Sequence, residues 1–201
     1  MISSKFLNMK KSFFGFEDQI LELSILEHVY EPQEDSYLLA RNIPKNLKGK
    51  KVLDIGSGSG ILSVICAKSG GVVTAVDLFE KAIANTKLNA KLHGVNIDVL
   101  ESDLFEKIEG KFDFIVYNPA YIPVENEGIE GEIAWVGGKN GRMHIDKFLK
   151  NFKPYLNKGG IVLMLVSSKN NIVDELKKNG WKEIDSRVLF FEKLFIMKFA
   201  N

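Results

Sequence analysis

The sequence is short of several things, and each shortage excludes a class of protein. One cysteine among 201 residues, Cys66, allows no intramolecular disulfide and no cysteine-built metal cluster, which suits a reducing compartment. No apolar run approaches the ~18 residues of a membrane-spanning helix, and the opening "MISSKFLNMKKSFF" lacks the apolar segment and small-residue cleavage site of a secretory leader. Charge of one sign is not in excess. With 27 basic against 26 acidic residues the formal net charge is +1, so no global field draws the chain to nucleic acid or to a membrane. Proline is scarce, five in all, and there is no Pro/Ser-rich linker, internal repeat or low-complexity tract. These absences predict a soluble, cytoplasmic chain with one core and with Cys66 inside a helix.

What is present is an alternation. From Lys51 onward, short β-branched runs alternate with longer amphipathic segments: "VLDIG" (52–56), "GILSVICAKSG", "VVTAVD" (72–77), "FEKAIANTKLNAKLHG", "IDVLESD" (97–103) and "KFDFIVYN" (111–118). A helix-like "HIDKFLKNFKPYL" (144–156), a strand "GIVLMLVSS" (160–168) and a helix "NNIVDELKKNG" ended by Gly180 continue the pattern. Strand, helix, strand predicts an α/β fold with helices on both faces of a parallel sheet. After Gly180 the alternation stops: "KEIDSRVLFF" and "KLFIMKFA" leave room only for a tight connection near Glu192, and strands joined so closely are antiparallel. The expected sheet is therefore mostly parallel and finished by an antiparallel hairpin. The apolar "VLFFEKLFIMKF" reads as sheet core and not as a partner-binding box. Before Lys51, "DQILELSIL" suggests a strand and "EDSYLLARNI" a capped helix stopped by Pro44.

Chemistry enters with Asp54-Ile55-Gly56-Ser57-Gly58-Ser59-Gly60, which leaves a buried strand and opens a helix. Glycines there allow a sharp turn and the close approach of a ligand to bare backbone. The dinucleotide fingerprint fails in both registers, since Ile61 and Ser63 stand where the third glycine belongs, and no lysine and hydroxyl pair follows Gly60 as a P-loop requires. Three acids end three successive strands: Asp54, Asp77 and Asp103. A carboxylate at Asp77 can accept both ribose hydroxyls of an adenosine, or it can cap the helix that follows. An amine, a ribose and an adenine amino group suit these acids, and pyrophosphate does not. The last signal is "YNPAY", Tyr117 to Tyr121, at the end of the run "FDFIV". By itself it is also an ordinary Asn-Pro turn.

With these residues assembled, the chain resembles the class I S-adenosylmethionine-dependent methyltransferases, and "YNPAY" resembles the Asn-Pro-Pro-Tyr-type motif of members that methylate planar amino groups. The resemblance implies a Rossmann-like, seven-stranded sheet. It also implies catalytic roles for Asn118 and Pro119, as carbonyl acceptors for the two N–H groups of the substrate nitrogen, and for Tyr121, packed on the flat substrate group. Where the family pattern has a second proline, this sequence has Ala120, which leaves Pro119 less restricted.

The stretches "VYEPQEDSYLL" (29–39) and "AWVGGKNGRMHIDKFL" (134–149) are similar to the HemK-related glutamine methyltransferases of translation release factors, in their archaeal and eukaryotic branch. From that similarity, residues 29–201 form the methyltransferase domain and residues 1–28 an extension packed on it. Ser36 lies near the methionine end of S-adenosylmethionine, Asp54 and Gly56 contact its methionine portion, Asp77 the ribose, Asp103 with Leu104 the adenine, and Asn118 both cofactor and substrate; Gly58 and Leu78 belong to the same cofactor site. Asp35 and Ser36 also read as an ordinary helix start. The span from Glu125 to Gly141 is expected to cover the substrate groove, with Trp135 either a contact or core. A release factor is the implied protein substrate, and some relatives use a small zinc-binding activator subunit. His28, His93 and His144 have no ligand spacing and read as satisfied surface or core histidines, and no metal is expected. Two rival readings remain: an adenine-N6 methyltransferase acting on RNA or DNA, which the balanced charge disfavours, and a non-catalytic cofactor-binding protein.

Overall fold

The near-continuous apolar runs at residues 52–55, 112–117 and 161–166 become the centre of a sheet, because strands covered on both faces have no polar side to show. The computed structural model describes residues 9–16, 18–124 and 136–201. In chain order the strands are β1 (Lys10–Phe16), β2 (Gln19–Ile25), β3 (Lys51–Ile55), β4 (Val72–Asp77), β5 (Ile97–Glu101), β6 (Phe112–Tyr117), β7 (Leu156–Ser167), β8 (Lys182–Val188) and β9 (Lys193–Ala200). The helices are α1 (Glu34–Arg41), α2 (Ile61–Lys68), α3 (Glu80–Leu92), α4 (Met143–Asn151) and α5 (Val173–Lys178). Among the described residues, β1 and β2 form a separate hairpin, and the other seven strands form one sheet in the order β5-β4-β3-β6-β7-β9-β8.

The pairs β3–β4, β4–β5, β3–β6 and β6–β7 are parallel, whereas β9 runs antiparallel to both β7 and β8. The expected mostly parallel sheet with a C-terminal antiparallel hairpin is thus found, with β9 inserted between β7 and β8. The chain enters this sheet in the middle at β3, walks out to β5 and returns to the other side of β3 as β6. Right-handed crossovers then place α2 and α3 on one face and α4 and α5 on the other. Cys66 is buried on α2. On the second face the core is aromatic: Phe148 stacks on Phe152 with ring centroids 5.3 Å apart and leans on Tyr117 at 4.8 Å, and Trp181 and Phe199 close the cluster against Phe152. Among the described residues, no helix is long and apolar enough to cross a membrane.

Two expectations near the C-terminal half are corrected. The helix expected over 144–156 ends at Asn151; a 3-10 turn, Lys153–Tyr155, follows and β7 begins at Leu156. Pro154 lies inside that turn, where it has no N–H to donate and its ring blocks a further α-helical turn. Phe190 and Phe191 are not sheet core but 93% and 80% exposed. Leu189 N donates to Glu192 O at 2.8 Å, a bond that closes the hairpin tightly and leaves the two phenylalanines at its apex.

The β1–β2 hairpin was only half legible, because β1 inverts the usual pattern: Ser12 and Phe14 are buried and Phe13 is exposed. Ser12 Oγ meets Tyr37 Oη at 2.9 Å, and the Phe14 ring stacks on Tyr37 at 5.2 Å. Besides burying Phe14, Leu21, Leu23 and Ile25 in the core, the hairpin is held by two asparagines one turn apart on α3. Asn89 accepts from Ser24 N (2.9 Å) and donates to Ser24 O (2.9 Å) and Ser59 O (2.8 Å). Asn85 accepts from Leu26 N (2.6 Å) and donates to Ser24 O (2.9 Å) and Ser59 O (3.2 Å). Both side chains are fully buried, so an unmade bond here has no water to replace it. Asn89→Ala is expected to cost about 3 kcal/mol in urea unfolding, several buried groups being left unpaired. It should also speed amide exchange across β2 more than across β7.

Candidate functional site

Where a parallel sheet reverses its strand order, the loops leaving the two adjacent strands diverge and open a crevice at their carboxyl ends. Here the reversal lies between β3 and β6, so the glycine loop after Ile55 faces the turn after Tyr117. Gly56, Gly58 and Gly60 have φ of 65°, 53° and 83°. At Gly60 a Cβ would lie 2.9 Å from the Cα of Thr86, so α3 packs directly against bare loop backbone. Thr86 Oγ1 reaches Ser57 Oγ (2.9 Å) and Gly58 O (3.2 Å), and Asn85 and Asn89 hold Ser59 O. The polar face of α3 therefore sets the loop on one side and the N-terminal hairpin on the other.

A cavity of about 560 Å³ fills the crevice. Of the residues expected in a site, Ser36, Gly56, Gly58, Asp77, Leu78, Asp103, Leu104, Asn118, Pro119 and Tyr121 all line it. Asp54 does not reach the wall. It is fully buried behind the loop, where Ser63 Oγ donates to its Oδ2 at 2.5 Å and Oδ1 has no partner. Burial pushes its carboxyl up to about 7 despite the Ser63 bond. Asp77 accepts from Gly58 N (2.9 Å) and Phe79 N (3.0 Å), and burial raises it as well. It is not a helix cap; the residue before α3 is Phe79, and no side chain caps there.

At the other end of the cavity lies the turn at Asn118. Asn118 Nδ2 donates to Asp35 Oδ2 (3.1 Å) and Ser36 Oγ (3.3 Å), both on the buried side of the first turn of α1. An ionised carboxylate can only accept, so it fixes which end of the amide is nitrogen. The carbonyl Oδ1 is then turned the other way, buried and without a partner. Asp35 is itself held: Tyr30 Oη (3.1 Å) and Ser36 N (2.6 Å) donate to its Oδ1. Neither Asp35 nor Ser36 caps α1, whose N-cap is Gln33. Tyr121 is buried, and burial first, then the neighbouring Asp35 carboxylate, holds its phenol well above the ordinary range.

Several contributors escaped the sequence reading because they act across long separations. Asn170 Nδ2 donates to Tyr121 O (2.9 Å) and Gly141 O (3.1 Å), pinning the turn after Asn118 to the segment that precedes α4. Lys147 on α4 bonds Asp103 at 2.7 Å. His28 and His144, read as satisfied surface or core residues, line the cavity, and burial lowers the His144 imidazole; His93 Nε2 pairs with Glu22 O at 2.9 Å. Residues 125–135, with Trp135, lie outside the described part of the expected cover. The described remainder is bonded to the turn, Gly137 N to Ile122 O at 2.9 Å and Val124 N to Gly138 O at 3.1 Å. Among the described residues no cluster of histidine, cysteine and carboxylates could hold a metal ion.

Comparison with known proteins gives this site a context. Residues 31–179 match the model of the methyltransferase small domain. A Methanocaldococcus jannaschii protein, provisionally named protein N5-glutamine methyltransferase, is 43% identical over 88% of this chain and 94% of its own length. Methyltransferase HEMK2 of Homo sapiens is 32% identical over 86% of this chain and 90% of its own. Among solved structures, the Thermus thermophilus 16S rRNA N2 G1207 methyltransferase in complex with AdoMet and guanosine superimposes with a TM-score of 0.70 at 18% identity, over 96% of this chain and 50% of that one, a likeness of fold.

The buried Asp54 makes a pH-dependent expectation. A carboxyl whose folded pKa is raised from 3.8 to about 7 holds its proton in the native state while the unfolded chain loses it. Stability therefore falls as pH rises from about 4 and levels off above about 7. Asp54→Asn removes that dependence, and its stability relative to the parent should rise by about 2–3 kcal/mol between pH 5 and pH 8. Urea unfolding at the two pH values measures it.

Proposed function

Because the chain belongs to the methyltransferase small domain family, and within it to the HemK-related class I methyltransferases, we propose that it methylates the side-chain amide nitrogen of a glutamine, the one in the Gly-Gly-Gln loop of a translation release factor. The Streptococcus pneumoniae relative, 28% identical over 88% of this chain, is named release factor glutamine methyltransferase, which supports that substrate. S-adenosylmethionine, when bound, supplies a methyl group activated by a positively charged sulfur. The residues fit it: a cavity of about 560 Å³ is of ligand size, and the glycine loop leaves one wall bare. Asp77 and Leu78 then hold the ribose end, Asp103 and Leu104 the adenine, and Ser36, Gly56 and Gly58 the methionine end. Asp54 acts from beneath the loop.

The observation that carries the reading is the unpartnered Asn118 Oδ1. A buried acceptor with nothing to accept from is costly, and it is relieved by a substrate N–H. An amide nitrogen is a weak nucleophile because its lone pair is spread into the carbonyl. Basicity cannot drive its attack, so position must. Asn118 Oδ1 takes one N–H and the Pro119 carbonyl the other, and the lone pair is left pointing into the cofactor end of the cavity. Tyr121 stays a neutral phenol, packs on the flat amide and keeps water away. As the nitrogen–carbon bond forms, the methyl–sulfur bond breaks; the nitrogen then carries two protons and a positive charge, and one of the two leaves to solvent, so no histidine or carboxylate need act as base.

Transfer of labelled methyl from S-adenosylmethionine to the release factor tests this reading. Label is expected on the wild-type factor and absent from a factor whose Gly-Gly-Gln glutamine is replaced by asparagine. Label on RNA or DNA in place of protein would make the adenine reading the better one.

A further inference from the structure

The apex of the β8–β9 hairpin has no structural reason to be aromatic. Phe190 and Phe191 are 93% and 80% exposed and Val188, just before them, 76%. Their rings meet edge to face with centroids 4.6 Å apart, an ordered apolar knob standing in water. Two exposed aromatics add nothing to the core, and the contact of their apolar surface with water is unfavourable.

The knob is not remote from the chemistry. β8 runs parallel to β7, so its carboxyl end, and the apex that follows, lie on the same edge of the sheet as the turn at Asn118. The base of the apex is wired to that turn. Glu192 bonds the Ser167 hydroxyl, and Lys193 N donates to Ser168 Oγ at 3.0 Å. Ser167 N in turn donates to Asn170 Oδ1 (2.8 Å), and Asn170 Nδ2 holds Tyr121 O at 2.9 Å. The apex is thus a fixed extension of the rim of the acceptor pocket. Its chemistry favours an apolar partner over a phosphate backbone, because the two rings are its most exposed surface and the flanking cations are engaged in ion pairs, Arg187 with Glu34 and Lys193, at 3.6 Å, with a Glu183 that Lys177 also holds.

We propose that the Phe190–Phe191 apex is the docking point for the protein that presents the acceptor glutamine, an apolar patch beside that protein's glutamine loop seating on the two rings. The proposal rests on the protein-methylation reading above. Exposed aromatics at the centre of a contact are where interface energy concentrates, so the pair sets substrate affinity while the Asn118 turn sets the rate.

The test is the double variant Phe190→Ser/Phe191→Ser, which alters only exposed positions, assayed beside the parent with the intact release factor and with a short peptide carrying its glutamine loop. A rise in KM for the intact factor of ~10-fold or more is expected, with kcat, peptide turnover and cofactor affinity unchanged. The conservative pair Phe190→Tyr/Phe191→Tyr should keep the parental KM. An unchanged KM for the factor, or equal losses on factor and peptide, overturns the docking role while leaving the methylation reading intact. Parent enzyme that labels RNA and not the factor, with the label lost in the double variant, overturns both and makes the rings a base-stacking platform.

Discussion

One hydrogen bond orders the Asn118 end of the cavity, the one from Asn118 Nδ2 to the Asp35 carboxylate. An amide is nearly symmetric in shape but opposite in polarity at its two ends, so a site that uses its carbonyl must first secure its nitrogen. Asp35 does so because it can only accept, and Tyr30 and Ser36 hold it in place from the far side. The bond joins residues 83 apart in sequence, one on the first turn of α1 and the other at the end of β6. It therefore exists only when α1 is seated on the sheet. The orphaned Asn118 oxygen, the buried phenol of Tyr121 and the pinning of that turn by Asn170 belong to the same device.

The glycine-loop end of the cavity is ordered by a different physical means. Helices usually face a sheet with apolar side chains, but α3 turns Asn85, Thr86 and Asn89 inward and satisfies backbone groups on both sides of itself. One side is the glycine loop, whose Ser59 carbonyl takes both asparagine amides; the other is β2, which gains the partner a strand edge lacks. The N-terminal hairpin and the ligand loop thereby share the same two side chains. A disturbance of one is transmitted to the other through fully buried amides, which have no solvent to fall back on.

The local patterns were legible in the sequence and the tertiary ones were not. Strand and helix alternation, the glycine loop, Asp77 at the end of β4, Asp103 two residues past the end of β5 and the Asn118-Pro119 turn announce themselves because each sits in a short local pattern. The strand order turned the same local signals into one cavity. Asp54 belongs to that pattern, yet its side chain points behind the loop, which strand position alone cannot distinguish. Asn85, Asn89, Asn170 and Lys147 were silent because asparagine and lysine ordinarily read as turn or surface, and their partners lie 26 to 65 residues away for the α3 pair and similarly far for the others. β1 was missed because it buries a serine and exposes a phenylalanine. The Phe190–Phe191 pair was misplaced because an apolar run reads as core unless the turn that interrupts it is seen.

The most direct test of the account is the kinetics of Asp35→Asn. This variant keeps the shape of the site but replaces the acceptor-only partner with an amide that can also donate, so the Asn118 amide is free to face either way. The account predicts a kcat on the release factor lower by roughly 10²–10³-fold, in the range for loss of one preorganised polar group, with cofactor affinity and unfolding stability close to the parent. A kcat equal to the parent's would show that the polarity of the Asn118 amide is not set by Asp35 and would contradict the account at its centre.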